Sequence, residues 1–320
     1  MKTAGKSRLA GVVGPARAAL GLDAAWTPAN PWGVALAVDD GSGWRLVHAA
    51  PDMAGFMAGK GGESPLEARL GTKPGPGTGP GTGPGAETGT RAGGVTEAGP
   101  EATPGTRRVR GEAAQAPEPL ALLARCRELA GVEPQCVAVD MPIVPHGRVT
   151  GRRAADNAVS RAFGGRKCAT HSPTIERPGV LGENFSRGLE AQGYSVAVSG
   201  SAPTGRDLLE VYPHPALLAL TGERMRLPYK SSKTGKYWPG LPRAERVARL
   251  LTVWARIREA LAGRMEIAPG VLPPPEGWRL KPYEDMLDAA VCAWVGACWL
   301  DGQTVAHGDA ASAVWVPEGV

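Results

Sequence analysis

The sequence predicts an α/β fold: a mixed sheet of three antiparallel strands followed by α/β units, with helices on its faces. Three observations lead there. Apolar runs separated by tight turns open the chain. A helix followed by a short apolar strand comes next, and a strand, turn and helix come later. Two long helical segments and a terminal hairpin close the order. Antiparallel strands followed by α/β units form a single sheet covered by helices.

The elements follow in turn. Residues 18–23 read as a buried strand ending at Asp23, stopped by the proline-containing turn TPANP. WGVALAVDD and WRLVHAA flank Gly41, Ser42 and Gly43, the pattern of a β-hairpin. Residues 117–130 predict a helix, with Pro119 in the first turn, Leu120, Leu123, Arg127 and Ala130 at helical spacing, and Gly131 as the stop. QCVAVDMPI is a short buried strand that Met141-Pro142 ends, because proline cannot donate to a ladder. Residues 148–200 read as polar and irregular, apart from a helix near 181–192. DLLEVYPHPALLALTG is strand, turn and helix, with Glu210 near the strand's end. A long helix begins at Pro242. KPYEDMLDAAVCAWVGACWL is another, with Leu287, Val291, Trp294 and Cys298 on one face. TVAHGDAASAVWVP predicts two short strands around a polar turn.

Two stretches stand apart. Residues 72–117 form a Gly/Pro/Thr tract with almost no large apolar side chain. Such a segment cannot bury enough surface to offset its ordering entropy, which predicts a disordered insertion. Residues 1–17 read as a disordered basic extension. Gly14, Pro15 and Arg17 break their apolar run, so they make a poor signal peptide. The expected organisation is one domain over residues 18–320, interrupted at about 72–117.

Composition narrows the function classes. The net charge of +5 and pI of about 9.0 are compatible with a polyanion partner without requiring one. The five cysteines include no C-x-x-C pair, which argues against a zinc site or a disulfide framework and for a reducing cytoplasm. No stretch approaches the roughly 18 apolar residues of a membrane span.

The chemistry lies in acids placed where apolar runs begin or end: Asp23, Asp140, Asp285 and Asp288. An ionised carboxylate beside apolar surface is costly unless a positive group pairs with it. Asp23 and Asp140 end strands that a mixed sheet would place side by side, at the edge where open α/β sheets bind ligands. Asp285 and Asp288 share a helix face, close to a helix N-terminus that favours anions. Mg²⁺ or Mn²⁺ held by such carboxylates supports phosphodiester cleavage. Each acid alone also fits an ordinary turn or helix-start role.

The segments GLDAAW, VAVDMPI, GRRAAD, EVYPHPALLALTG with LPYK, YEDMLDAAVCAW and GDAASAVWVP together resemble the DUF429 family of predicted RNase H-like nucleases. The resemblance implies an RNase H-like sheet and metal-binding acids on the first strand, the fourth strand and a late helix. Asp23, Asp140 and Asp288 match those places, with Asp285 as a fourth. It also implies a glutamate from the first helix. Glu128 lies at the wrong end of that helix, and Glu210 is the substitute.

Other residues are candidates for substrate contact. Arg152 and Arg153 sit in a basic segment suited to phosphate. His214 follows Glu210 in EVYPHP, where it reads either as a base or phosphate contact or as a packed helix-entry residue. Lys230, Lys233 and Lys236 interleave with Tyr229, Tyr237 and Trp238, a pattern suited to single-stranded nucleic acid. The expected function is a metal-dependent nuclease. A non-catalytic nucleic-acid-binding module is the alternative. A phosphotransfer enzyme of the actin and sugar-kinase type fits less well, because GLDAAW lacks a Gly-rich phosphate loop after it.

Overall fold

A computed structural model of the chain describes residues 16–27, 30–59 and 118–319. The insertion expected at 72–117 lies outside the described residues, and so does the expected extension except for its last two positions.

Strand β1 (Arg17–Asp23) begins at Arg17, inside that expected extension. It pairs antiparallel with β2 (Gly33–Asp39), which pairs antiparallel with β3 (Trp44–Ala50). The hairpin turn is pinned by Asp39, whose carboxylate accepts from the N–H groups of Gly41 at 2.8 Å and Gly43 at 3.1 Å. Helix α1 (Met53–Met57) follows. Helix α2 (Pro119–Ala130) starts where Glu118 accepts from Leu120 and Ala121, and stops at Gly131, with φ 72°. Strand β4 (Cys136–Val139) then runs parallel to β1.

The region expected to be irregular holds helix α3 (Ala154–Phe163) as well as α4 (Gly179–Glu190) and β5 (Ser195–Val196). Ala155, Val159 and Phe163 form the buried stripe of α3 at i, i+4 spacing. Then come β6 (Asp207–Val211), α5 (Pro213–Thr221), α6 (Thr234–Tyr237), α7 (Arg243–Ala262), β7 (Glu266–Ile267), α8 (Leu280–Leu300), β8 (Thr304–Gly308) and β9 (Ala313–Pro317). The sheet order is β7-β3-β2-β1-β4-β6-β9-β8, with β5 also on β6. The three antiparallel strands thus adjoin a parallel run of β1, β4, β6 and β9.

Both sheet faces are covered. Leu20, Leu22, Val137 and Val139 point into one core with Leu122, Leu123 and Phe185 of α2 and α4. Ala35, Ala37, Cys136 and Ala138 point into the other, with the side chains of α3, α5, α7 and α8. The residues facing α8 are small for a reason. A Cβ at Gly21 would lie 2.2 Å from the carbonyl oxygen of Ala289, and one at Gly33 would lie 2.1 Å from that of Asp285. Glycine at both places lets the α8 backbone rest directly on β1 and β2. Helix α8 was expected to bury one face. It is buried continuously from Tyr283 to Trp299, as a helix apolar nearly all round must be.

Candidate functional site at the carboxyl edge of the sheet

Asp23 closes β1 and Asp140 directly follows β4. Leu22 stands opposite Val139 in the parallel ladder, and the Asp140 N–H donates to the Leu22 carbonyl at 2.9 Å. The two acids therefore stand on neighbouring strands at the sheet edge. Close docking of α8 brings Asp285 and Asp288 to the same edge. They lie at the sixth and ninth positions of a helix that starts at Leu280, beyond the first turn where the dipole acts. Their proximity to the sheet, rather than the helix terminus, places them.

The cluster is electrostatically frustrated. Burial pushes the Asp23 carboxyl up to about 7, and its neighbour Asp285 adds to the rise. The two carboxyls face each other closely enough that each perturbs the other. Burial, then the nearby Asp23 and Asp288, raises Asp140 well above the carboxylate range. Among the described residues no donor reaches the Asp140 carboxylate; Trp26 donates through its indole Nε1 to the backbone oxygen instead, at 3.2 Å. Asp288 is fully buried and is pushed up to about 6 by burial. Its Oδ1 accepts from the Tyr229 hydroxyl at 2.8 Å, and its Oδ2 contacts the Lys230 ammonium.

Two lysines answer this charge. Lys230 Nζ also lies 3.6 Å from Glu284 Oε1. Lys281 contacts Asp285 and lies 3.3 Å from Glu284. Burial works against an ionised Glu284, yet Lys230 and Lys281 hold its carboxyl below the ordinary range. The Ser231 N–H donates to the same carboxylate at 2.6 Å. Glu284 and Lys281 were not among the expected site residues. Their spacing from Asp288 on one helix puts all three on a common face, and that was the available signal.

Other expected residues are engaged elsewhere. Glu210 is gripped through both oxygens by Arg153, with Nη2 2.6 Å from Oε1, and accepts from the Ile143 N–H at 2.9 Å. Arg153 also pairs with Asp156. Its guanidinium is therefore a buried structural brace. Arg152 ties α3 to the following segment, through Asn157 at 2.7 Å, Ser160 at 2.8 Å and Ser172 at 3.0 Å. His214 is a packed helix-entry residue, its ring 5.2 Å from those of both Tyr212 and Tyr229. Burial, then nearby cations, lowers its pKa well below 6.5 and leaves it neutral. Tyr229 is fully buried, so it offers no stacking face. Glu128 pairs with Arg125 at 2.8 Å on the exposed side of α2.

Carboxylate oxygens in this number match the preference of Mg²⁺ or Mn²⁺ for hard donors. Among the described residues, however, no group of three or more Asp, Glu, His or Cys side chains is set in metal-ligating geometry. The lysine ammonium groups take up part of that space. The donor chemistry suits a hard divalent cation, and in this structure Lys230 holds Asp288 Oδ2.

Two hollows touch the acids, and a groove adjoins both. A cavity of about 200 Å³ touches Asp23, Asn30, Lys281 and Asp285. A recess of about 40 Å³ lies over Asp140, Glu210 and His171. A groove of about 610 Å³ shares Asn30 with the first and Trp26 and His171 with the second. A further cavity of about 410 Å³ lies near the other end of α8, against Trp294 and Asp301, away from the acids.

The strand order and the helices on both sheet faces are consistent with an RNase H-like α/β fold. The family model described as "Protein of unknown function (DUF429)" matches residues 101–312, and the chain belongs to this family. The matched span holds Asp140, Lys230 and the α8 acids but not β1 to β3, and so not Asp23. Comparison with curated proteins and with solved structures produced no match. No helix among the described residues is long and apolar enough to cross a membrane.

Proposed function

We propose that the protein is a metal-dependent nuclease that hydrolyses phosphodiester bonds, using Mg²⁺ or Mn²⁺ held by Asp23, Asp140 and Asp288, with Asp285 as the fourth acid. The observation that carries this reading is the gathering of four aspartates from β1, β4 and α8, each raised by burial. Such a cluster is costly by itself and is relieved by a divalent cation. A bound ion would supply an activated water and stabilise the leaving oxygen. The chain's own residues do the rest. Tyr229 fixes the rotamer of Asp288, the parallel ladder fixes Asp23 against Asp140, and Lys230 stands ready to meet a phosphate oxygen when it leaves Asp288. Glu210 is a support for Arg153 and the loop at Ile143 rather than a ligand. The partner is nucleic acid, in a reducing cytoplasm that suits five buried free cysteines.

The test is cleavage of RNA, DNA, hybrid and branched substrates with Mn²⁺ or Mg²⁺, with Asp23→Asn as control. Metal-dependent activity that survives unchanged in this variant rules out the assignment.

One observation favours a second reading, a non-catalytic nucleic-acid-binding module. Lys230 and Lys281 already neutralise part of the cluster, and no ligating set is preformed. Thermal unfolding in millimolar Mn²⁺ separates the two. A raised midpoint supports the nuclease, and an unmoved one supports the binder.

A further inference from the structure

The phosphodiesterase reading leaves the strandedness of the substrate open, and Trp26 bears on it. Trp26 follows Asp23 by three residues at the mouth of the site. Its indole N–H donates to the Asp140 carbonyl at 3.2 Å, so the ring is tied to the backbone at Asp140. Trp26 lines both the recess over Asp140 and the 610 Å³ groove. That volume lies within the range of small-molecule sites, about 300–1,000 Å³. The remaining groove wall is Thr27, Asn30, His171, Ser172, Thr174 and Arg177. These are donors and a cation, with no carboxylate among the described lining residues.

A half-exposed, oriented aromatic ring beside polar donors and a guanidinium is the arrangement that takes a base on its face and a backbone phosphate at its side. Because Trp26 lines the same recess as Asp140, a base stacked on it belongs to a nucleotide near the phosphate being cut. Bases in a duplex already stack on their neighbours, and drawing one out costs a few kcal/mol.

We infer that Trp26 is a base-stacking platform, with Arg177 beside it for phosphate, and that the substrate is a single-stranded or locally unpaired polynucleotide. The inference rests on the phosphodiesterase reading, which makes the adjoining acids the reacting centre.

The experiment measures binding of labelled oligonucleotides of one length, single-stranded and duplex, by fluorescence anisotropy. Ca²⁺ replaces Mn²⁺ so that binding is read without turnover. The expected result is preference for the single strand, weakened about 5- to 150-fold in Trp26→Ala. Trp26→Phe keeps a ring but loses the N–H that anchors it, and is expected to fall between the parent and Trp26→Ala. Arg177→Ala is expected to flatten the salt dependence. Unfolding midpoints matching the parent establish that the variants fold. Equal affinity of Trp26→Ala and the parent, or equal affinity for both strand forms, overturns the inference while leaving the nuclease reading intact. Failure of the unmodified protein to bind or cleave any of these substrates overturns both.

Discussion

Arg153 grips Glu210 through Nη1 and Nη2 and holds Asp156 from the same side chain. All three groups are nearly inaccessible to water. Breaking one partner of such a set strands a buried charge, at a cost of about 3–5 kcal/mol. Arg153→Ala is therefore expected to lose that much stability in urea denaturation. Unchanged stability together with weakened nucleic-acid binding would return Arg153 to a phosphate-binding role.

A pH dependence follows from the raised acids. Asp23 titrates at about 7 and Asp288 at about 6 in the folded protein, against about 4 in an unfolded chain. Between these values the folded state holds more protons than the unfolded state, so stability falls as pH rises. Below about pH 4 the effect vanishes, and above about 7 it is complete. Metal-free protein is expected to unfold at lower urea at pH 8 than at pH 5, with part of the slope removed in Asp23→Asn. A profile rising across that window would contradict the frustrated cluster.

Lys230 acts as a tethered counter-ion for Asp288. In Lys230→Met the metal-free protein is expected to lose about 3–5 kcal/mol, and Mn²⁺ is expected to restore much of it. At 100 times its dissociation constant an ion returns about 2.7 kcal/mol. The measurement is the unfolding midpoint of both proteins with and without Mn²⁺. A smaller gain in the variant than in the parent would show that Lys230 does not compete for the site.

Gly21 tests how far the site depends on close helix docking. A methyl group there has no room against Ala289 and Ala293. Gly21→Ala is expected to cost about 1–3 kcal/mol through overpacking and to weaken Mn²⁺ binding by moving Asp285 and Asp288 off the sheet. Calorimetry with Mn²⁺ reads the second effect. Unaltered affinity would mean that α8 holds its acids independently of β1.

The longer strands and the placement of Asp23 and Asp140 were legible because apolar runs and their stops are local, whereas the two-residue strands β5 and β7 were too short to leave a pattern. Asp288 was legible as a charge opening a long uncharged stretch. Helix α3 was missed because arginines and small residues around it mask the spacing of Ala155, Val159 and Phe163. The meeting of Lys230 with Asp288 could not be read, since it depends on how the segment between α5 and α6 folds over α8. Nor could the fate of Arg153, because only tertiary packing turns a residue of a polar segment into a buried brace. His214 was ambiguous for the same reason: aromatic neighbours on two separate segments decide it.

The sheet order carries a kinetic consequence. Strand β9 enters between β6 and β8, and α8 closes over β1 and β4. The docking of α8 on β1 joins the start of the chain to its end, and contacts so far apart in sequence slow folding. The acid cluster cannot exist until α8 docks. During synthesis, then, Asp23 and Asp140 emerge long before their partners, and the site is completed only when the last helix is in place.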